Sequence, residues 1–147
     1  MSTVVPLISS GVAGPLGVIH LPRLWLKQSL ECRGSLAPGY PGCGMGYDQM
    51  VIDGLGLKKE AVIDFIQSKR PTYPQFEAWI KSQPGAKLDQ DSINKLNSAI
   101  RGYNHDDDTR KSILSANNIP DDANAPHDAV NLNNLDDWKE IHAAVLQ

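Results

Sequence analysis

Apolar side chains recur at helical spacing in stretch after stretch of this chain, and nowhere alternate with polar ones for long enough to predict a strand. The first such stretch runs from Leu21 to Arg33. Pro22 suits a first helical turn, and Leu21, Leu24, Trp25 and Cys32 share one face. Gly34 to Gly46 carries too many glycines and prolines to continue any regular element, so it reads as a loop. Tyr47 to Asp53 follows as a short helix with Met50 and Val51 inward, closed by Gly54 or Gly56.

Lys58 to Lys69 places Ala61, Val62, Phe65 and Ile66 on one stripe, with Lys59, Asp64 and Gln67 outside. Pro71 stops it and Pro74 opens the next helix. There Phe76, Trp79 and Ile80 face inward, and Glu77 with Lys81 forms an exposed i,i+4 pair. Asp89 or Asp91 caps a helix through Ile93, Leu96 and Ile100 that Gly102 terminates. The triplet Asp106, Asp107, Asp108 precedes a weaker helix over Thr109 to Asn117, with Ile113 and Leu114 as its apolar pair. Residues 118–133 read as a long loop interrupted by Pro120 and Pro126. Asn134 then caps a last helix whose stripe is Leu135, Trp138, His142 and Val145. Six or seven short helices without repeats predict an all-α fold: one domain over 1–147, with a glycine-rich segment at 1–20.

Composition narrows the class. The 147 residues are 41% hydrophobic and 21% charged, as in an ordinary globular protein with its own core. The net charge of −3 argues against general affinity for nucleic acid or an anionic membrane. The acids concentrate late in the chain, at Asp121, Asp122, Asp128, Asp136 and Asp137, where capping and solvation account for them. Cys32 and Cys43 form no C-x-x-C pair and are too few for a disulfide scaffold, which fits a reducing compartment. Val4 to Leu21 lacks a basic leader region and is broken by Pro6 and Pro15, so neither a signal peptide nor a membrane span is expected. The expected location is the cytoplasm.

Candidate chemistry gathers in the first 56 residues, which hold ten of the twelve glycines. Arg23, Lys27 and Glu31 stand at i, i+4 and i+8, forming a polar seam along an otherwise apolar helix. One reading is a solvated face with a Lys27–Glu31 pair; the other is an edge that holds an anionic or polar ligand. His20 lies at the start of the seam and is the histidine best placed for proton transfer. The stretch Gly42 to Asp48 leads glycine-rich backbone into a helix, a geometry that offers N–H groups to an anion. It lacks the Lys and Ser/Thr of a phosphate loop, and Asp48 reads more readily as a helix N-terminal acid than as a base. His105 beside the aspartate triplet matches no zinc or calcium spacing, no G-x-S-x-G is present, and the glycines of Asp53 to Ala61 only faintly echo a helix-hairpin-helix module. No metal and no cofactor is expected.

The segments Leu16-Gly-Val-Ile-His-Leu-Pro-Arg-Leu-Trp-Leu-Lys27, Gly39-Tyr40, Gly46-Tyr-Asp48, Leu55-Gly56, Phe76-Glu-Ala-Trp79 and Leu132-Asn-Asn-Leu-Asp-Asp-Trp138 resemble a bacterial family of small helical proteins described only as a domain of unknown function. The resemblance spans most of the chain in order. It implies a small, mostly helical, stand-alone protein with Leu21-Pro22-Arg23 and Leu26-Lys27 as hallmarks, and it implies no activity.

Two function classes follow. The first is a small-molecule-binding protein, extending to an enzyme with acid/base chemistry. Arg23 and Lys27 would hold a polar or anionic group with Tyr47 and Trp25 alongside, while His20, Tyr40 or Asp48 moves a proton. The second is a non-enzymatic interaction module, self-associating as a homo-oligomer through Trp25, Trp79 or Trp138.

Overall fold

Local signals of different strength start and stop each helix, and the computed structural model, which describes residues 2–147, shows which of them act. Helix α1 covers Leu21–Cys32, with Pro22 in its first turn and His20 as an N-cap residue in the left-handed region, φ 69°. Helix α2 is Tyr47–Gly54, α3 is Lys59–Lys69 and α4 is Tyr73–Ser82. At the start of α4, Thr72 and Gln75 close a reciprocal capping box, each side chain accepting from the other's backbone N–H. Helix α5, Gln90–Arg101, is capped by Asp89 and ends at Gly102, as the sequence predicts. Helix α6, Asp107–Ala116, is capped by Asp106, so the acidic triplet makes the helix start instead of preceding it.

The last helix departs from expectation. Helix α7 spans Ala129–Ile141, followed by a π-helical turn at His142–Leu146. Asp128 caps it by accepting from Asn131 N–H, so the long loop ends five residues before the expected boundary at 133. The anticipated stripe is also on the wrong side. Trp138, His142 and Val145 are exposed and Leu135 is half-buried, whereas Ala129, Leu132 and Asp137 point inward. Asp137 faces the interior because it meets a buried cation there, described below.

Helix α1 lies against α2, α3 and α4, and α5 packs on both α2 and α7. Leu21 and Leu24 of α1 join Val51, Ile52, Val62, Ile66, Phe76, Ile80, Ile93 and Ile100 in one fully buried cluster. Burying a side chain of this size contributes roughly 1.5–3 kcal/mol each. A smaller cluster of Leu114, Ala125 and Leu132 seats α6 against α7, and Arg110 pairs with Asp121 to hold the intervening loop. The result is a single all-α domain. Among the described residues there is no strand, only isolated bridges such as Val4 with Leu36 and Asn104 with Asp128.

The first twenty residues do not hang free. Val4 exchanges backbone hydrogen bonds with Ser35 and Ala37, beyond the far end of α1. Asn97 of α5 accepts from Ile19 N–H and donates to the Gly17 carbonyl. Glu77 is buried, not exposed beside Lys81, because its carboxylate accepts from Leu16 N–H and the Tyr73 hydroxyl. These polar clamps fix the segment that delivers His20 to the head of α1.

Candidate functional site

The polar seam of α1 is where the fold concentrates its buried charge, and the seam divides. Arg23 and Lys27 are 4% and 6% exposed, whereas Glu31, one turn further on, lies at the surface. Lys27 therefore does not pair with Glu31. Its ammonium lies 2.6 Å from Asp48 Oδ2, on the first turn of α2. Removing an ammonium from water is costly unless a carboxylate replaces the lost hydration, and Asp48 supplies it.

Asp48 is the hub of this arrangement. It accepts from Lys27 Nζ, from His20 Nε2 at 2.6 Å and from Gly44 N–H at 2.8 Å. The glycine-rich loop thus does present an N–H to an anion, but the anion is the chain's own carboxylate. Burial by itself would raise the Asp48 carboxyl; the hydrogen bond from His20 and the charge of Lys27 outweigh it and hold the group at about 2. So placed, Asp48 is ionised and a weak base.

His20 is 2% exposed, and its left-handed backbone aims the ring between two partners. Nε2 meets Asp48, and Nδ1 lies 2.9 Å from the Ser10 hydroxyl. Burial lowers the imidazole below its ordinary 6.5, and the Asp48 hydrogen bond opposes this without reversing it. A neutral ring beside an ionised carboxylate carries its proton on Nε2, which leaves Nδ1 to accept from Ser10 O–H. The chain of contacts runs Ser10, His20, Asp48, Lys27.

Arg23 builds the neighbouring half. Its guanidinium forms a bidentate pair with Asp137 of α7, Nη1 to Oδ2 at 2.6 Å and Nη2 to Oδ1 at 3.0 Å. Nη1 also donates to the carbonyls of Pro6 and Ile8, tying the N-terminal segment to α1. The Tyr40 hydroxyl donates to Asp137 Oδ1 at 2.9 Å, and the Arg23 guanidinium lies 5.9 Å from the Tyr40 ring centre. Burial and then the Asp137 charge push the Tyr40 phenol up, so it is a fixed donor with no tendency to ionise.

With Ser10 and Asp137 behind them, these residues wall a cavity of about 450 Å³ that opens to solvent between the 39–46 loop, the α5–α6 connection and α7. Every residue proposed for proton transfer from sequence, His20, Tyr40 and Asp48, lines it, together with Arg23, Lys27 and Tyr47. Tyr47 is buried and donates from its hydroxyl to the Ile100 carbonyl, so it presents its ring. Trp25 does not take part. It sits on another side of α1, donating from Nε1 to the Pro71 carbonyl beside a separate pocket with Ser29 and Cys32.

Sequence reading missed Ser10, Asp137 and the outer wall formed by Tyr103, His105, Asn133 and Asp136. Asn133 and Asp136 stand three apart on α7, a spacing that shares a face, and placing the helix start at Asp128 would have exposed it. Nothing in the sequence pairs Asp137 with Arg23. Among the described residues no three His, Cys, Asp or Glu side chains converge to hold a metal ion, and no helix is long and apolar enough to cross a membrane. Comparison with known protein families and with curated proteins gives no match for this chain.

Proposed function

We propose that this chain binds a small polar molecule in the cavity walled by α1, the 39–46 loop, the α5–α6 connection and α7. The observation that carries the reading is the concentration of buried ionisable groups at that one wall. His20, Arg23, Lys27, Asp48 and Asp137 are all nearly inaccessible. A helical domain of this size can be stabilised by apolar packing alone, and replacing buried ion pairs by hydrophobic residues often stabilises a protein. Perturbed, desolvated groups around a cavity are the arrangement that binding sites use.

Binding comes before chemistry in this reading. Both His20 nitrogens are occupied by Ser10 and Asp48, so a ligand that exchanges a proton with His20 has to displace one of them. Asp48 and Tyr40 then act as positioning residues: the first orients the imidazole and offsets any charge it gains, and the second locks Asp137. Arg23 and Lys27 each already face a carboxylate, which favours a polar ligand over an anionic one. The test is ligand-observed NMR with a library of small polar metabolites, on the native chain and on Thr109→Trp, which fills the cavity mouth from α6. Binders that are lost in the variant support the reading; a library without binders, or binders indifferent to the variant, would defeat it.

A second reading, self-association, has one observation in its favour. Trp138, Val145 and Leu146 are 58%, 67% and 66% exposed near the end of α7, whereas Trp25 and Trp79 are partly buried against the core. Sedimentation velocity over a wide concentration range decides it, since an unchanging monomer rules that role out.

A further inference from the structure

Resting on the cavity reading, we propose that the ligand carries a cationic amine, which seats on Asp136 against a wall of tyrosine rings. The Arg and the Lys that line the cavity each form a close ion pair, and Asp136, among the described residues, forms none. Arg23 is matched by Asp137 and Lys27 by Asp48. Asp136 lines the same cavity, is half-buried, and has no hydrogen-bond partner among the described residues. Burial first, then the charges of Glu140 and Asp137, push its carboxyl above the ordinary range, and the attraction of Arg23 and His105 only partly offsets them. A buried-edge carboxylate with like charges behind it and open space in front is a place where an ammonium lowers the energy of both partners.

Aromatic rings line the same cavity. Rings follow one another from the interior to the mouth, His20 to Tyr47 at 5.1 Å, Tyr47 to Tyr103 at 5.5 Å and Tyr103 to His105 at 6.3 Å between centres. Tyrosine faces carry the negative side of a quadrupole and attract cations, most strongly where water is partly excluded. The contact of His105 Nε2 with Asn133 Oδ1 at 2.9 Å, together with Ala129 N–H donating to the Tyr103 carbonyl at 3.0 Å, ties the ring ladder to the α7 turns that lead to Asp136. An anion entering here meets a carboxylate without an ion-pair partner, whereas an amine with a flat or apolar body meets a complementary charge and a π surface together.

Three probes of similar size and different charge separate the possibilities: benzylamine, benzyl alcohol and benzoate, titrated at neutral pH and followed by amide chemical shifts. Benzylamine is expected to bind about fivefold or more tightly than benzyl alcohol, with the largest shifts at Tyr103, Asn133 and Asp136. Asp136→Asn should erase that difference while leaving benzyl alcohol unaffected, and Asp108→Asn, on an exposed neighbouring carboxylate, should leave all three unchanged. The variant keeps its fold on this account, because Asp136 makes no hydrogen bond to lose; its unfolding midpoint verifies that. If benzyl alcohol binds as well as benzylamine, or benzoate binds better, the amine assignment is overturned while the cavity reading stands. If none of the probes moves a cavity amide up to about 10 mM, the amine assignment is overturned and the metabolite library alone judges the cavity.

Discussion

Arg23 and Asp137 stand 114 positions apart and form a two-pronged ion pair at the back of the cavity, Nη1 to Oδ2 at 2.6 Å and Nη2 to Oδ1 at 3.0 Å. The same guanidinium holds the Pro6 and Ile8 carbonyls, so three separate parts of the chain meet at one side chain. Removing the carboxylate leaves a buried cation without its counter-charge. Asp137→Asn is expected to cost about 3–5 kcal/mol, measured by urea unfolding. Tyr40→Phe removes only one hydrogen bond from the same carboxylate and should cost about 1 kcal/mol. Equal losses in the two variants would contradict this account.

Asp48 serves two donors of different kinds, the ammonium of Lys27 and the neutral ring of His20. Asp48→Asn should therefore destabilise by about 3–5 kcal/mol. Adding Lys27→Met to that variant removes the stranded ammonium and should recover part of the loss. A double variant as unstable as the sum of its singles would show that the two residues are not coupled.

The pH dependence of stability has a definite sign at His20. Its folded pKa lies below the ordinary 6.5, so the unfolded chain takes up a proton first as pH falls. The stability it contributes is whole above about 6.5 and is lost as pH drops through the folded value. Asp48 adds a second loss at lower pH, between its ordinary 3.8 and about 2. Urea midpoints in mildly acidic buffers should fall for the native chain and fall less for His20→Asn, whose side chain tolerates the left-handed backbone. A midpoint that rises on acidification from neutrality would reverse the assignment.

Asp136→Asn should raise stability at neutral pH by up to about 0.5 kcal/mol, because it relieves repulsion by Glu140 and Asp137 that solvent partly screens. Thermal unfolding at low salt is the sensitive measurement, and a clear destabilisation would mean that Asp136 has a structural partner.

Gly56 tests the scaffold away from the cavity. Its φ is 70°, and a Cβ there would lie 2.4 Å from the Gly85 carbonyl oxygen, which belongs to backbone and cannot swing away. Gly56→Ala should cost about 2 kcal/mol or more, read as a lower urea midpoint without loss of ligand binding.

Where a helix is decided by neighbours in sequence, the chain is readable. Asp89 and Gly102 mark the ends of α5, and the inward set Val62, Ile66, Phe76, Ile80, Ile93 and Ile100 follows from periodicity. Polar burial is decided otherwise. Glu77 is internal because of Leu16, 61 positions away, and Asp137 because of Arg23, so hydrophobicity alone assigns both to the surface. The same error rotates α7 and puts Trp138 inside on paper. The site was half visible for the same reason: Arg23 and Lys27 interrupt an apolar helix and are conspicuous, whereas their carboxylate partners lie on other elements and look like ordinary surface acids.

The Arg23–Asp137 pair also sets an order of events during synthesis. Domains made on the ribosome emerge N-terminus first. Helix α1 and its guanidinium are complete long before Asp137 exists, and until α7 is made the cation has no carboxylate to receive it. The back of the cavity can close only when the segment over Ala129–Ile141 has emerged, so a nascent chain that stops short of it should keep α1 loosely held and open to proteases.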